Sequence, residues 1–286
     1  MARRLALIIG GTGHTGGILR RLLSSDHRVC ATGLEREGDE RFDLAAPSDL
    51  VERLRPDLIM IPGGWTNVDR CELRPEEAMR VNAGGPGRVA EQAERIGAFV
   101  VYFSTDYVFD GAAGPYAEGA RPAPLNHYGR SKLEGERRVA ASGARFAILR
   151  SCLVYGMDPG GSNFFMRVVE RFRRGEPQPA FLDQFLTPTW AEDLGRAAIT
   201  LAEERREGVH HVAGPRLLSR VDYCLELARA YGFSQDLVRP VRAADVPSPS
   251  RRPLRAGLTS SRDHGTLAPR EAFARIRITT PPGDRV

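Results

Sequence analysis

The chain has 286 residues, of which 42% are hydrophobic and 27% charged, with a formal net charge of +5. That balance suits a soluble globular protein, and the length allows one large domain or one domain with a smaller lobe. It excludes a membrane span, because no apolar run approaches the ~18 residues required. It also excludes a nucleic-acid binder, because the arginines are scattered among Glu and Asp with no basic stripe interleaved with aromatics.

Met1-Ala-Arg-Arg leads into five apolar residues before Gly10, which reads as a first strand and not a signal peptide. Leu5–Ile9 is short and continuously apolar, as expected of a strand buried on both faces of a parallel sheet. Gly10-Gly-Thr-Gly-His-Thr-Gly16 follows, and then a helical pattern through Ile18, Leu19, Leu22 and Leu23. Gly11-x-Gly13-x-x-Gly16 and Gly10-x-x-Gly13-x-x-Gly16 both fit the dinucleotide fingerprint. Each gives a tight turn, a close backbone approach to a pyrophosphate and a helix N-terminus aimed at negative charge.

Arg28–Thr32 is the second strand, and it runs into Gly33-Leu-Glu35-Arg36. Glu35 suits an adenosine ribose and Arg36 a 2′-phosphate, which favours NADP, with NAD as the alternative. The alternation continues with a strand at Arg41–Leu44, a helix over Pro47–Leu54, a strand at Leu58–Ile61 and a helix from Pro75 through Ile96. Ala98–Ser104 is the next buried strand; a Gly-, Pro- and Ala-rich loop spans 110–125, and a strand at Arg145–Arg150 follows the helix that carries Tyr128. Strands alternating with helices predict an α/β fold with a Rossmann-type, doubly wound parallel sheet. Ligands then lie at the carboxyl ends of the strands, where the glycine loop, residues 62–66, Ser104-Thr105 and Ser151-Cys-Leu153 converge.

Beyond Leu153 helices are expected at Asn163–Arg174, Trp190–Glu204 and Val221–Tyr231, with a strand at Val209–Val212. The Pro- and Arg-rich tail from Arg239 shows little periodicity, and residues from Thr279 are expected to fray. This predicts a Rossmann domain over 1–150, to which 188–213 returns, and a smaller C-terminal substrate-binding lobe from 151–187 and 214–286. The four cysteines have no Cys-x-x-Cys or partnering His spacing and read as free thiols of a reducing cytoplasm, and no metal site is expected.

The chemistry concentrates at Thr105-Asp106-Tyr107 and Tyr128-Gly-Arg-Ser-Lys132. Tyr and Lys four residues apart lie one turn apart on one face of a helix. A neighbouring ammonium favours the phenolate and draws a tyrosine pKa down from about 10, which suits general acid/base work. Lys132 is the single lysine of the chain, and every other basic residue of the 41 is arginine. Arginine serves wherever a cation is merely exposed, but it cannot replace a compact ammonium between a phenol and a ribose.

In order, the glycine loop, Pro56-Asp-Leu-Ile, Thr66-Asn-Val-Asp-Arg-Cys-Glu72, Val81-Asn82, Ser104-Thr-Asp-Tyr-Val-Phe-Asp-Gly111, Pro124-Leu-Asn-His-Tyr-Gly129, Lys132-Leu-Glu-Gly-Glu136, Asn163-Phe164 and Asp183-Gln-Phe-Leu-Thr-Pro-Thr189 resemble the extended short-chain dehydrogenase/reductases, most closely the dTDP-4-dehydrorhamnose reductase group. The resemblance covers most of residues 5–260. It implies NAD(P)H-dependent reduction of a 4-keto sugar nucleotide, a small-molecule partner, with a homodimer left open. By carry-over, Tyr128 donates the proton, Lys132 holds the nicotinamide ribose and lowers the tyrosine pKa, and Thr105 bonds the reacting oxygen. Gly10, Thr12, Gly13, His14, Thr15 and Gly16 would take the pyrophosphate, Asp43 and Leu44 the adenine, and Gly63 and Gly64 the cofactor backbone. Asn82 would stand behind the lysine. Trp65, Thr66, Val68, Ser104, Leu153, Asn163, Phe164 and Gln184 fall on the sugar-nucleotide side.

The dehydratase relatives place Asp-Glu after the threonine. Here Tyr107 follows Asp106, so elimination has lost a carboxylate, and Asp106 is read as a hydrogen-bond partner of the loop backbone. The family's Arg-Thr-Ser-Trp-Val-Tyr becomes Arg150-Ser-Cys-Leu153-Val-Tyr155, and its Ala-Ala-Ala-Tyr-Thr becomes Pro62-Gly-Gly-Trp65-Thr66. Both changes are expected at the substrate. Gly97-Ala-Phe and Pro122-Ala-Pro-Leu-Asn126 are also similar to the regulatory beta subunit of methionine adenosyltransferase, the source of a rival reading without turnover.

Overall fold

The computed structural model describes residues 3–34, 38–158, 160–161 and 163–278. In chain order the elements are β1 (Leu5–Ile8), α1 (His14–Leu23), β2 (Arg28–Gly33), β3 (Glu40–Arg41), α2 (Leu50–Leu54), β4 (Leu58–Ile61), α3 (Val68–Leu73), α4 (Pro75–Met79), α5 (Gly85–Ile96), β5 (Phe99–Thr105), α6 (His127–Ala141) and β6 (Arg145–Ser151). The second half adds β7 (Val154–Tyr155), α7 (Phe164–Arg173), β8 (Gln178–Phe181), β9 (Phe185–Leu186), β10 (Thr189–Trp190), α8 (Ala191–Glu203), β11 (Gly208–His211), β12 (Leu218–Ser219), α9 (Arg220–Tyr231), β13 (Val238–Val241) and α10 (Pro269–Arg275).

Seven strands form one parallel sheet in the order β3-β2-β1-β4-β5-β6-β11. The strands are apolar on both faces because both faces are covered. Ala6, Ile8, Met60, Val101 and Leu149 pack with Leu19 and Leu23 of α1 and Leu194 and Leu201 of α8. Their alternates Leu7, Ile9, Ile59, Val100 and Ile148 pack with Val51 of α2, Val89 of α5 and Val139 of α6. The period of two sends successive side chains to opposite layers.

A separate aromatic cluster fills the C-terminal part, where Tyr155, Phe165, Trp190, Tyr223, Leu227 and Phe273 are buried together. Phe273 stands 5.5 Å from the rings of both Tyr155 and Tyr223 and 5.8 Å from that of Phe165. It belongs to α10, in the tail that has no visible periodicity in sequence. This short helix has Pro269 in its first turn, while Glu271 accepts a hydrogen bond from the Ala268 backbone N–H at 3.1 Å. Phe273→Ala is expected to cost about 3–5 kcal/mol, seen as a lower denaturation midpoint with an unchanged slope.

Other boundaries also differ from expectation. The strand expected over Arg41–Leu44 pairs only at Glu40–Arg41, while Phe42 and Leu44 turn into the core. The helix expected from Pro47 begins at Leu50. The long helix to Ile96 is interrupted by a π turn over Arg80–Gly84, and α3 precedes it. Residues from Thr279 lie outside those described.

Candidate active site

All seven strands point one way, so their carboxyl ends open into one cleft of about 1010 Å³. That is at the upper end of ordinary ligand pockets, ~300–1,000 Å³, and has room for two large ligands. Gly10, Thr12, Gly13, His14, Thr15 and Gly16 form its wall at the start of α1. Gly10 has φ +86°, and a Cβ there would lie 2.6 Å from Gly63 Cα. A Cβ on Gly16 would lie 2.2 Å from the Gly10 carbonyl oxygen. Both positions therefore demand glycine, and together they bring backbone against the mouth of the helix. Gly63, Gly64, Asp43 and Leu44 line the same end. Arg36 lies outside the described residues.

The reacting centre is built by β5 and α6. Asn126 caps α6 by accepting from Gly129 N at 2.9 Å, which fixes the turn carrying Tyr128. Tyr128 and Lys132 are buried on the helix face toward the sheet, and both line the cleft with Thr105. The side chain of Thr105 is a hydrogen-bond partner of Tyr128. Lys132 Nζ donates to the Phe103 carbonyl oxygen and lies 4.1 Å from the centre of the Tyr102 ring.

The expectation that Lys132 draws the Tyr128 pKa down is not met in this arrangement. Burial raises the Tyr128 hydroxyl well above its ordinary value, against the pull of Thr105, so it stands as a neutral phenol. The same burial lowers the Lys132 ammonium to about 7, with Glu136 opposing. Desolvation outweighs pairing because both groups sit inside the protein and the lysine faces the Phe103 carbonyl.

Trp65, Thr66, Val68, Leu153, Asn163, Phe164 and Gln184 also line the cleft. Leu153 has φ +38°, a costly conformation for a non-glycine residue, of the kind that clusters at ligand sites. Arg70 stacks on the Trp65 ring at 3.7 Å. Asn163 caps α7 by accepting from Met166 N at 2.9 Å and donates to the Gly156 carbonyl at 2.9 Å, with His14 Nδ1 3.3 Å away. It thereby ties the lobe to the glycine loop.

Three polar side chains at the site are engaged by neighbours within the protein. The Asn82 side chain is fully buried: it accepts from Trp65 N at 2.8 Å and donates to the Trp65 carbonyl and to Ser131 Oγ, each at 3.0 Å. It holds the Trp65 loop against α6 and does not reach the cleft wall. Ser104 lines the cleft, but its hydroxyl donates to Glu136, whose carboxylate also takes a two-pronged bond from Arg150 at 2.9 and 2.6 Å. The Asp106 carboxylate meets the loop backbone at its own N–H and is further held by two side chains: Thr105 Oγ1 and Cys152 Sγ both donate to it, at 3.1 Å each.

Residues 4–273 match the RmlD substrate binding domain family. The chain belongs to that family. A dTDP-4-dehydrorhamnose reductase of Sinorhizobium fredii is 35% identical over 235 residues, covering 77% of this chain and 79% of that protein. The methionine adenosyltransferase 2 subunit beta of Rattus norvegicus is 28% identical over 91% of this chain and 81% of its own length. The solved dTDP-4-dehydrorhamnose reductase of Bacillus anthracis in complex with NADP superposes with a TM-score of 0.89 at 25% identity, covering 96% of this chain and 98% of that one.

The RmlD-family cleft also contains residues that the motifs did not single out. Arg167, Arg220 and Arg252 line the lobe end, close enough that Arg220 and Arg252 add to burial in lowering the Arg167 pKa. Gln184, 3% exposed, does not stand free: it accepts from Arg220 Nε at 2.8 Å and donates to the Pro253 carbonyl at 3.2 Å. Phe164 lies under the Arg220 guanidinium at 4.4 Å. Arg167 comes one helical turn after Asn163, a spacing that sequence alone offers. Among the described residues no helix is long and apolar enough to cross a membrane, and no cluster of metal-ligating side chains occurs.

Proposed function

We propose that the chain is an NADPH-dependent reductase of a 4-keto deoxysugar nucleotide, dTDP-4-dehydrorhamnose or a close analogue. The observation that carries this is one cleft lined by the glycine loop, by Thr105, Tyr128 and Lys132, and by three arginines. When bound, NADPH supplies the hydride that reaches the ketone carbon. Tyr128, a neutral phenol, gives its proton to the ketone oxygen while Thr105 bonds that oxygen, and solvent restores the proton. Lys132 holds the nicotinamide ribose. The pyrophosphate of the cofactor meets the backbone N–H groups at the start of α1. Arg167, Arg220 and Arg252 hold the diphosphate of the sugar nucleotide, as cations match phosphate.

In this reading residues 1–150 with 188–213 carry the cofactor, and 151–187 with 214–286 close over the sugar nucleotide. The protein works in the cytoplasm, as monomer or homodimer, which sedimentation distinguishes. The test is oxidation of NADPH followed by absorbance against a panel of 4-keto sugar nucleotides. Turnover of at least one supports the reading. Tight NADPH binding with no turnover of any would favour the regulatory role of the methionine adenosyltransferase relative, which the intact Thr105, Tyr128 and Lys132 argue against.

Leu153 occupies the place of the family's tryptophan and sits between the lobe core and the Val108–Phe109 cluster. Leu153→Trp is therefore expected to change the ratio of kcat/KM between two sugar nucleotides by roughly tenfold and to leave NADPH affinity unchanged. A matching loss for all substrates, or a loss of NADPH affinity, would remove Leu153 from the sugar side.

A further inference from the structure

We propose that Asp106, paired with Cys152, is a positioning residue that fixes the Thr105 hydroxyl and so governs how Tyr128 holds and releases its proton. The proposal rests on the reductase reading and deepens it. Asp106 is 5% exposed and Cys152 1%. One carboxylate oxygen accepts from Thr105 Oγ1 and the other from Cys152 Sγ, both at 3.1 Å. A buried carboxylate with each oxygen bound to a different side chain is not accounted for by the capping of a loop.

A threonine hydroxyl has one hydrogen and two lone pairs. Here the hydrogen is committed to Asp106, and a lone pair accepts from Tyr107 N at 3.3 Å. A hydrogen bond given by Thr105 lowers the Tyr128 pKa, but Asp106 competes for that one hydrogen; while the carboxylate holds it, Thr105 meets the phenol through a lone pair and the phenol keeps its own hydrogen. Protonation of Asp106 weakens its hold on that hydrogen. Thr105 then turns its O–H toward the phenol oxygen, and the hydrogen bond reverses. Asp106 in its charged form also disfavours the phenolate through space, which returns the proton to Tyr128 after each turnover.

The groups facing Asp106 come from four elements. Cys152 follows β6, Arg220 begins α9, Thr105 ends β5 with Tyr107 just beyond it, and Tyr128 lies on α6. Burial raises the carboxyl to about 6, against the opposing pull of Cys152, Thr105 and Arg220. The switch thus lies near working pH. The active form is the carboxylate, so activity should rise with pH through that value. Cys152 stabilises the carboxylate, so removing its S–H should raise the midpoint, and a stronger donor should lower it.

The experiment is the pH dependence of kcat and KM, measured by NADPH oxidation with a 4-keto sugar nucleotide, for the unaltered protein, Asp106→Asn, Cys152→Ala and Cys152→Ser. The unaltered protein should show an acid limb in kcat near pH 6. Asp106→Asn keeps the shape and can still accept from Thr105, but it should erase the limb. It should also lower kcat roughly tenfold, as expected for loss of a charge-assisted hydrogen bond, with little change in KM. Cys152→Ala should move the limb to higher pH and Cys152→Ser to lower pH, so the cysteine pair decides the matter even if Asp106→Asn fails to fold. A limb at the same pH in unaltered protein and both cysteine variants, or a uniform loss of kcat at every pH, overturns the proposal and leaves the reductase reading standing. No turnover by the unaltered protein overturns both.

Discussion

Replacing Tyr128 by Phe is expected to leave folding and NADPH affinity intact and to lower kcat by ~10²–10⁴, the contribution of a positioned proton donor. The change removes one hydroxyl and almost no volume, and the Tyr128 ring keeps its edge-to-face contact with Tyr107, whose centre is 5.5 Å away. The phenol pKa is raised by burial, so Tyr128 does not ionise across the working range and sets no alkaline limit. That limit falls to Lys132, whose ammonium is lowered to about 7. Lys132→Arg is the companion test. A planar guanidinium does not fit between the Tyr102 ring and the Phe103 carbonyl, so activity should collapse although the charge is kept. A single surviving surface lysine would have tolerated arginine, as every other basic position of this chain does. Full activity in Lys132→Arg with an unchanged pH profile would remove both residues from the chemistry.

Glu136→Gln is expected to lower stability by about 3–5 kcal/mol in urea denaturation and to impair turnover at neutral pH. The Glu136–Arg150 pair is buried, with each side chain 5% exposed. Glutamine keeps the shape but leaves Arg150 an uncompensated charge and sets an amide donor against its guanidinium. Arg150→Met added to Glu136→Gln should recover part of the loss, because removing both charges is far cheaper than stranding one. The link to chemistry runs through Lys132. Glu136 is the largest influence holding its pKa up, so without that charge the lysine falls further and is neutral in a larger fraction at pH 7. The alkaline limb of kcat should therefore move to lower pH. A stability change under 1 kcal/mol, or an unmoved limb, would show that the pair is neither a structural nor an electrostatic support.

The sheet was legible because its strands carry their own signal. Leu58–Ile61 is continuously apolar and has the same boundaries in sequence and structure. The helix containing Tyr128 and Lys132 was plain from the four-residue spacing that marks its face, while its start is set by the Asn126 cap that the structure shows. Segments ordered by tertiary packing were not legible. Phe42 and Leu44 extend an apolar pattern, but pairing stops at Arg41 because the two side chains turn into the core beside Leu50 and Val51. Helix α10 is short and is fixed by Phe273 entering an aromatic cluster drawn from distant parts of the chain, so no local period announces it. Asn67 before α3, accepting from Arg70 N at 2.9 Å, was an available cap signal.

Within the site, motifs located the residues but not what their polar atoms do. Ser104, Asn163 and Gln184 line the cleft and Asn82 is buried behind it, yet each spends side-chain hydrogen bonds on a neighbour brought by folding. Ser104 and Glu136 are 32 positions apart, and Asn163 and His14 are 149 apart. The cation cluster of Arg167, Arg220 and Arg252 draws on separate segments for the same reason. A chain whose basic residues are nearly all arginine gives no compositional hint of which three converge.

The most direct test of the central claim is the fate of the hydride. NADPH deuterated at the transferable position of the nicotinamide C4 is mixed with the protein and a 4-keto deoxysugar nucleotide, and the product is read by NMR and mass spectrometry. The account predicts one deuterium on the former ketone carbon of the unaltered protein's product, formed in step with loss of NADPH, and a rate ~10²–10⁴ lower for Tyr128→Phe. Bound NADPH that stays unoxidised with every keto sugar offered, or a sugar product without deuterium at that carbon, would contradict it.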